Sequence, residues 1–275
     1  MARVKRYAIK KIFDTIQGEG ARAGTRAVFV RFAGCNLWTG RPEDRGAGKG
    51  ACARWCDTDF AKAEAKLSAT ELVWQVNALW PKKIYHRKTR EHDGSNVQHI
   101  DSIEVTNERW VVLTGGEPML QVDEDLLAAL NAAGLFVAVE TNGSLPLPDG
   151  DHFFDWVTVS PKIGAELVVE DADELKVVVP GVAPGLPGWS EEMLLALDVA
   201  GDWNERFVQP MDPLQTSDVE DTLLHPRSPV EPPWTPAAQE RRELFKTAQD
   251  WCVAFVKKHP RWRVGAQLHK ALGIP

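Results

Sequence analysis

The feature that most limits how this chain can fold is a recurring pair: a short β-branched run, then a stop in small or polar residues. Arg26–Gly34 (RAVFVRFAG) runs into a cysteine-bearing loop, Arg109–Leu113 into TGGEP (114–118), Phe136–Val139 into ETNG (140–143), and Trp156–Val159 into SPK (160–162). Leu175–Val179 is followed by a Pro/Gly loop, Arg206–Val208 by QPMD (209–212), and Trp262–Leu268 by His269 and the terminal GIP. Such runs are the sequence form of buried strands. Helical periodicity fills many of the gaps. Ala69–Trp80 carries Leu72, Val73, Val76, Leu79 and Trp80 at helical spacing, with Thr70 and Glu71 at its start and Pro81 as its stop. Asp123 is placed to cap a helix with Glu124 and Asp125 in its first turn and Leu126, Leu127 and Leu130 as its stripe. Helices are also predicted around Glu191–Val199 and over Ala237–Lys258, the latter with Cys252 in its apolar face, where core packing is the expected role. Alternating strands and helices predict an α/β fold with parallel strands joined by crossovers. In α/β barrels the site forms at the C-terminal strand ends, so the polar tags should meet at one mouth. A doubly wound sheet would also put loops there, and the pattern alone leaves both open.

The loop that the first of these runs enters, Gly34–Phe60, holds three of the four cysteines: Cys35, Cys52 and Cys56. It is Gly-rich, charged and too polar to be core, and an extended loop lets three thiolates converge on one centre. A closed zinc site needs four ligands, and no histidine lies within Gly34–Phe60. An iron–sulfur cluster held by three cysteines, with one iron left open, is the better fit. A disulfide fits poorly, since three local cysteines leave one unpaired.

Composition restricts the rest. A net charge of −7 without a long Lys/Arg block argues against a general nucleic-acid binder, and the basic run Tyr85–Arg90 reads as a solvated face. No apolar stretch reaches the roughly 20 residues that span a bilayer, and the basic N-terminus lacks a signal peptide's apolar region. With free cysteines, a cytoplasmic location is expected. The chain reads as a single domain, 1–275, with insertions near 82–108, which holds a short hairpin, and 212–236, which is Pro-rich. Ile12–Gly20 reads as a lead-in ending in a Gly-bracketed turn, QGEG, beside Gln17 and Glu19.

Three cysteines after a first strand and TGGEP after a later one resemble a radical S-adenosylmethionine (SAM) enzyme. FDTIQGEG, RFAGCNLW, WCDTDF, TGGEPMLQ, ETNGS, SPK, QPMD and LHKALGIP together resemble the 7-carboxy-7-deazaguanine synthase family of queuosine biosynthesis, from near the N-terminus to the last residue. The spacing C-x16-C-x3-C departs from the usual C-x3-C-x2-C. A widened first gap is known in this family, whereas three residues between the last two cysteines is a departure from its pattern.

The resemblance implies a partial, roughly six-stranded parallel β/α barrel of the radical SAM type. It implies a 4Fe-4S cluster on Cys35, Cys52 and Cys56, and SAM contacts from Trp55, Cys56, Asp57, Gly116, Ser160, Pro161, Lys162, Gln209, Pro210, Met211 and Asp212. It implies Mg2+ at Thr58, and a substrate shell of Ile16, Gln17, Gly18, Glu19, Arg31, Thr114, His269 and the Pro275 carboxylate. No catalytic side chain is implied beyond the cluster and SAM. The implied reaction is radical ring contraction of 6-carboxy-5,6,7,8-tetrahydropterin to 7-carboxy-7-deazaguanine, releasing ammonia. It further implies an electron donor such as flavodoxin or ferredoxin, and a homodimer. Two other readings stay open on the residues: a radical SAM activase acting on a partner protein, and a zinc-holding scaffold.

Overall fold

The structure is a computed structural model that describes residues 4–81, 85–89, 99–104, 108–150, 152–180, 188–211 and 236–274. Asp212 and Pro275 therefore lie outside the described residues, as does nearly all of the 212–236 insertion. The parallel strands are β2 (Arg26–Phe32), β6 (Trp110–Gly115), β7 (Phe136–Thr141), β8 (Trp156–Val159), β9 (Asp171–Val179), β10 (Asp202–Pro210) and β11 (Arg263–Val264). Each pairs in parallel with the next along the chain. At the other edge, β1 (Tyr7–Ile16) runs antiparallel to both β2 and β3 (Ala65–Leu67). The order β11-β10-β9-β8-β7-β6-β2-β1-β3 never doubles back within its parallel part, which excludes the doubly wound alternative. Among the described residues the end strands do not pair with each other, so the barrel is partial, with seven parallel strands where about six are expected. Within the 82–108 insertion, β4 (Tyr85–Thr89) and β5 (His99–Glu104) form the anticipated hairpin.

Alternation along the strands separates two faces. Val111, Leu113, Val137, Val139, Leu175, Val177 and Val208 point outward. They share a core with α1 (Ala69–Leu79), α2 (Glu124–Ala132), α3 (Glu191–Ala200) and α4 (Pro236–Lys258), where Cys252 is fully buried. The alternate positions Ala27, Phe29, Trp110, Val112, Ala138 and Trp156 cluster on the inner face. At its N-terminal end the Arg22 guanidinium covers this cluster, 3.1 Å from the Trp110 ring centroid and 5.8 Å from that of Trp156. Towards the C-terminal ends the same inward parity turns polar: Arg31, Thr114, Glu140, Ser160 and Lys176.

Several local expectations are corrected. The segment from Ile12 does lead into a turn, at Gly20–Arg22, but it is also the second half of the ten-residue strand β1, whose period breaks at a register shift between Ile9 and Lys11. Helix α1 starts from a capping box of Ser68 and Glu71, not from Thr70. No helix separates β7 from β8 or β8 from β9 among the described residues. The last strand is only Arg263–Val264, and the chain then turns into α5 (Leu268–Leu272), closed by Gly273 at φ +64°, so His269 sits on a helical turn.

Candidate active site

At the C-terminal strand ends lies a cavity of about 240 Å³. Its wall includes Ile16, Gln17, Gly18, Glu19, Arg31, Cys35, Cys52, Trp55, Cys56, Asp57, Thr58, Thr114, Gly116, Ser160, Lys162, Met211 and His269. Residues implied by resemblance from eight separate segments thus share one space. Pro161, Gln209 and Pro210 are not part of that wall, although Gln209 is fully buried, with neither side-chain amide atom hydrogen-bonded among the described residues.

The cysteine loop explains its own spacing. Ala51–Arg54 forms a short 3-10 turn, and the amides of Trp55 and Cys56 both donate to the Cys52 carbonyl, at 3.0 and 2.7 Å. The additional residue therefore makes Cys52 and Cys56 an i, i+4 pair on one side of a helical turn. Arg45, within the widened gap, folds back over Trp38 and donates to the carbonyls of Ala53 and Cys56, each at 3.0 Å. Burial pushes all three thiols up, Cys52 to about 11, where Cys56 and Cys35 add to the rise and Lys162 opposes it. Such thiols become thiolates when a metal centre takes the proton's place. Among the described residues no group of three or more His, Cys, Asp or Glu is arranged to hold a metal ion. Three thiols along a shared wall match ligands to separate corners of a cluster better than four converging on one zinc.

TGGEP serves this loop through its backbone. A Cβ on Gly116 would stand 2.2 Å from the Gly34 carbonyl oxygen, so the two chains touch only because glycine is there. Glu117 turns away from the cavity and is fully buried. Its carboxylate accepts from the Met119 amide (3.0 Å), the Asn142 amide (2.7 Å) and the Thr141 hydroxyl (2.7 Å), tying TGGEP to ETNG. Lys162 donates to the carbonyl and hydroxyl of Ser160, and burial lowers its pKa.

The opposite wall is a buried ion network that the sequence reading missed. Lys176, 3% exposed on the inner face of β9, lies 2.6 Å from Glu19 and 3.5 Å from Glu140. Gln267 donates to the other Glu19 oxygen at 2.9 Å, and Gln17 donates to Glu140 at 2.9 Å. Burial alone would raise the Glu19 carboxyl, but Lys176, Gln267 and His269 outweigh it and push it down to about 2. Burial likewise opposes the Lys176 charge, yet Glu140, Glu19 and Glu174 hold it well above the usual lysine range. His269 is lowered by burial against the pull of Glu19. The one signal for this network was a lysine inside the apolar run LKVVV. Nearby, the Arg31 Nε is buried without a hydrogen-bond partner among the described residues.

No family model matches the chain. It is 40% identical to the 7-carboxy-7-deazaguanine synthase of Burkholderia multivorans over 274 residues, spanning 98% of this chain and 99% of that protein. It is 39% identical to the protein of the same name from Bradyrhizobium diazoefficiens, with the same coverage. The crystal structure of QueE from Escherichia coli aligns with a TM-score of 0.56 at 21% identity, covering 96% of this chain and 95% of that one, a likeness of fold. A partial parallel barrel with three cysteines and a glycine-led strand end at its mouth is the architecture of a radical SAM enzyme. Within that class the chain belongs to the 7-carboxy-7-deazaguanine synthase family.

Proposed function

We propose that this chain converts 6-carboxy-5,6,7,8-tetrahydropterin to 7-carboxy-7-deazaguanine, with ring contraction and loss of ammonia; the product is the one that its relatives' name gives for them. The observation that carries the reading is that the three thiols and the Glu19–Lys176–Glu140 network line one cavity. Cys35, Cys52 and Cys56 would hold a 4Fe-4S cluster, and Gly116, Ser160, Lys162, Trp55, Asp57 and Met211 would line the SAM end. When bound, cluster and SAM together supply the one-electron chemistry that generates a radical on the substrate.

The chain's own task is to hold a small anionic heterocycle and keep water away from it. A tetrahydropterin offers adjacent N–H donors, and Glu19, held ionised and anchored by two partners, is a fixed acceptor for them. The substrate's carboxylate suits Arg31, whose Nε has no hydrogen-bond partner among the described residues and whose guanidinium sits 5.4 Å from the Phe13 ring. His269 is pressed against Gly18, where a Cβ would stand 2.2 Å from its Nδ1, which fixes the imidazole at the wall. Thr58 would give one hydroxyl to a Mg2+ that keeps most of its waters, beside Asp57, which is paired with Lys270 at 2.9 Å. The same reading assigns an external donor such as flavodoxin or ferredoxin, a homodimer and a reducing cytoplasm, where buried thiols stay unoxidised. No helix among the described residues is long and apolar enough to cross a membrane.

Anaerobic reconstitution with iron and sulfide, followed by a reductant, SAM, Mg2+ and the tetrahydropterin, tests the reading by mass spectrometry. Accumulation of 7-carboxy-7-deazaguanine and ammonia is expected. Intact cluster and SAM binding without that product would overturn it, and a rate unaffected by chelating Mg2+ would remove the Thr58 assignment alone.

A further inference from the structure

Two of the carboxylates at the mouth come from unrelated parts of the chain: Glu19 from the segment after β1, and Glu140 from the C-terminal end of β7. Gln17 links the Glu19 backbone to Glu140, accepting the Glu19 amide at 3.1 Å and donating to the Glu140 carboxylate at 2.9 Å. Lys176 links the two carboxylates themselves: its ammonium is 2.6 Å from one and 3.5 Å from the other, and among the described residues it is the cation paired with both. Glu19 is held on its other oxygen by Gln267, while Glu140 takes Gln17 on the same oxygen that faces Lys176 and the Thr114 hydroxyl, at 3.5 Å, on the other. A carboxylate has about four acceptor positions, so these anchors leave each with acceptor capacity for a ligand in the cavity both line. Glu174, two residues before Lys176 on the same face, accepts the Ala21 amide at 2.8 Å and sets a third carboxylate beneath the other two.

From this geometry, and resting on the synthase reading, we propose that Lys176 is a positioning residue that sets affinity for the N–H edge of the substrate by holding Glu19 and Glu140 in fixed orientation. The titratable groups facing Lys176 are Glu19, Glu140 and Glu174, with Lys162 repelled across the cavity and His269 facing Glu19. Replace Lys176 by a neutral side chain, and three carboxylates share an enclosed space. Like charges at such separations cannot all stay ionised in low dielectric, so they protonate or swing apart. A protonated Glu19 presents a donor to a donor edge, and a displaced Glu19 presents nothing. Either way the loss falls on binding of the heterocycle. The thiols across the cavity are not involved.

The test is steady-state kinetics of K176M, K176R and K176M/E174Q, with iron content, SAM dissociation constant and thermal midpoint measured on the same preparations. The double variant keeps the wild-type net charge of the network, two carboxylates against none instead of three against one, but lacks the bridge. It also provides a foldable form if the uncompensated K176M fails to fold. Expected are a KM for the tetrahydropterin raised at least about tenfold in K176M and in the double variant, kcat lowered less than KM is raised, and iron content and SAM affinity within about twofold of wild type. K176R, which restores a cation, is expected to recover most of the KM. Isothermal titration of the substrate analogue pterin-6-carboxylate into apoprotein gives a readout independent of turnover, and a parallel loss of affinity is expected there. A KM within twofold of wild type in either folded methionine variant would overturn the inference, and so would recovery of normal KM in the double variant, which would reduce the role of Lys176 to net charge. If wild-type enzyme does not turn over the tetrahydropterin, the synthase reading falls and takes this inference with it; if it does and KM is unmoved, the inference falls alone.

Discussion

Replacing Glu117 tests how the mouth is assembled, because this side chain does not itself line the cavity and yet ties TGGEP to Thr141 and Asn142, which do. In E117A three donors lose their acceptor: the amides of Met119 and Asn142 and the Thr141 hydroxyl, at 3.0, 2.7 and 2.7 Å. The site is fully buried, so water cannot replace the carboxylate without opening the turn. The hydroxyl can rotate to another acceptor, but the two amides cannot. Each stranded buried donor costs about 1–3 kcal/mol. Burial pushes the Glu117 carboxyl up against its hydrogen bonds, so part of the loss is offset by removing an acid that is costly to ionise there. Together these place E117A at about 3–5 kcal/mol of destabilisation, a large share of the ~5–15 kcal/mol of a typical domain. E117Q keeps one acceptor oxygen and sets an NH2 against a donor, for about 1–3 kcal/mol. Urea unfolding of apoprotein at pH 7, followed by circular dichroism, separates the three proteins. An E117A midpoint within about 1 kcal/mol of wild type would refute the argument, since it would mean that TGGEP and ETNG are held together by something else.

Alanine at Cys35, Cys52 or Cys56 should each remove bound iron, whereas C252A, in the helix-facing core, should keep full iron and lose about 1 kcal/mol of stability; iron and acid-labile sulfide assays decide, and full iron in C52A would remove that ligand. Glu19 has a pKa near 2 when folded against an ordinary 4.5, so it contributes stability that is present above 4.5 and lost as pH falls through about 2. Acid titration of apoprotein should therefore show a steeper loss between those values in wild type than in E19Q, and superimposable curves would contradict the ion network. R45A should lower iron occupancy several-fold with little change in the apoprotein melt, and R45K should restore part of it. Unaltered iron in R45A would show that the widened cysteine gap has no clamping role.

The parallel architecture and the meeting of the tags were legible because each tag follows an apolar run and the inner face of a strand continues into its end. The gathering of Cys35, Cys52 and Cys56 at one cavity was legible from chemistry alone, and the meaning of the x3 spacing was not, since that depends on a helical turn closed by the Cys52 carbonyl. Lys176 was hidden for a different reason. Inside LKVVV it is one polar residue among valines, and whether it faces helices or the inner space depends on register with β8 and β10, which alternation within one strand cannot supply. Strand β1 was masked by Lys10 and Lys11 at its register shift, and α5 by being five residues long, too short to show a helical period.

The most direct test is a crystal structure of the reconstituted enzyme with SAM and 6-carboxy-5,6,7,8-tetrahydropterin bound. The account predicts one cavity holding all three groups: the cluster on Cys35, Cys52 and Cys56, the pterin carboxylate on Arg31, and its N–H edge on Glu19, with Lys176 bridging Glu19 and Glu140. A cluster ligated by Cys252, or a pterin seated away from Glu19, would contradict it.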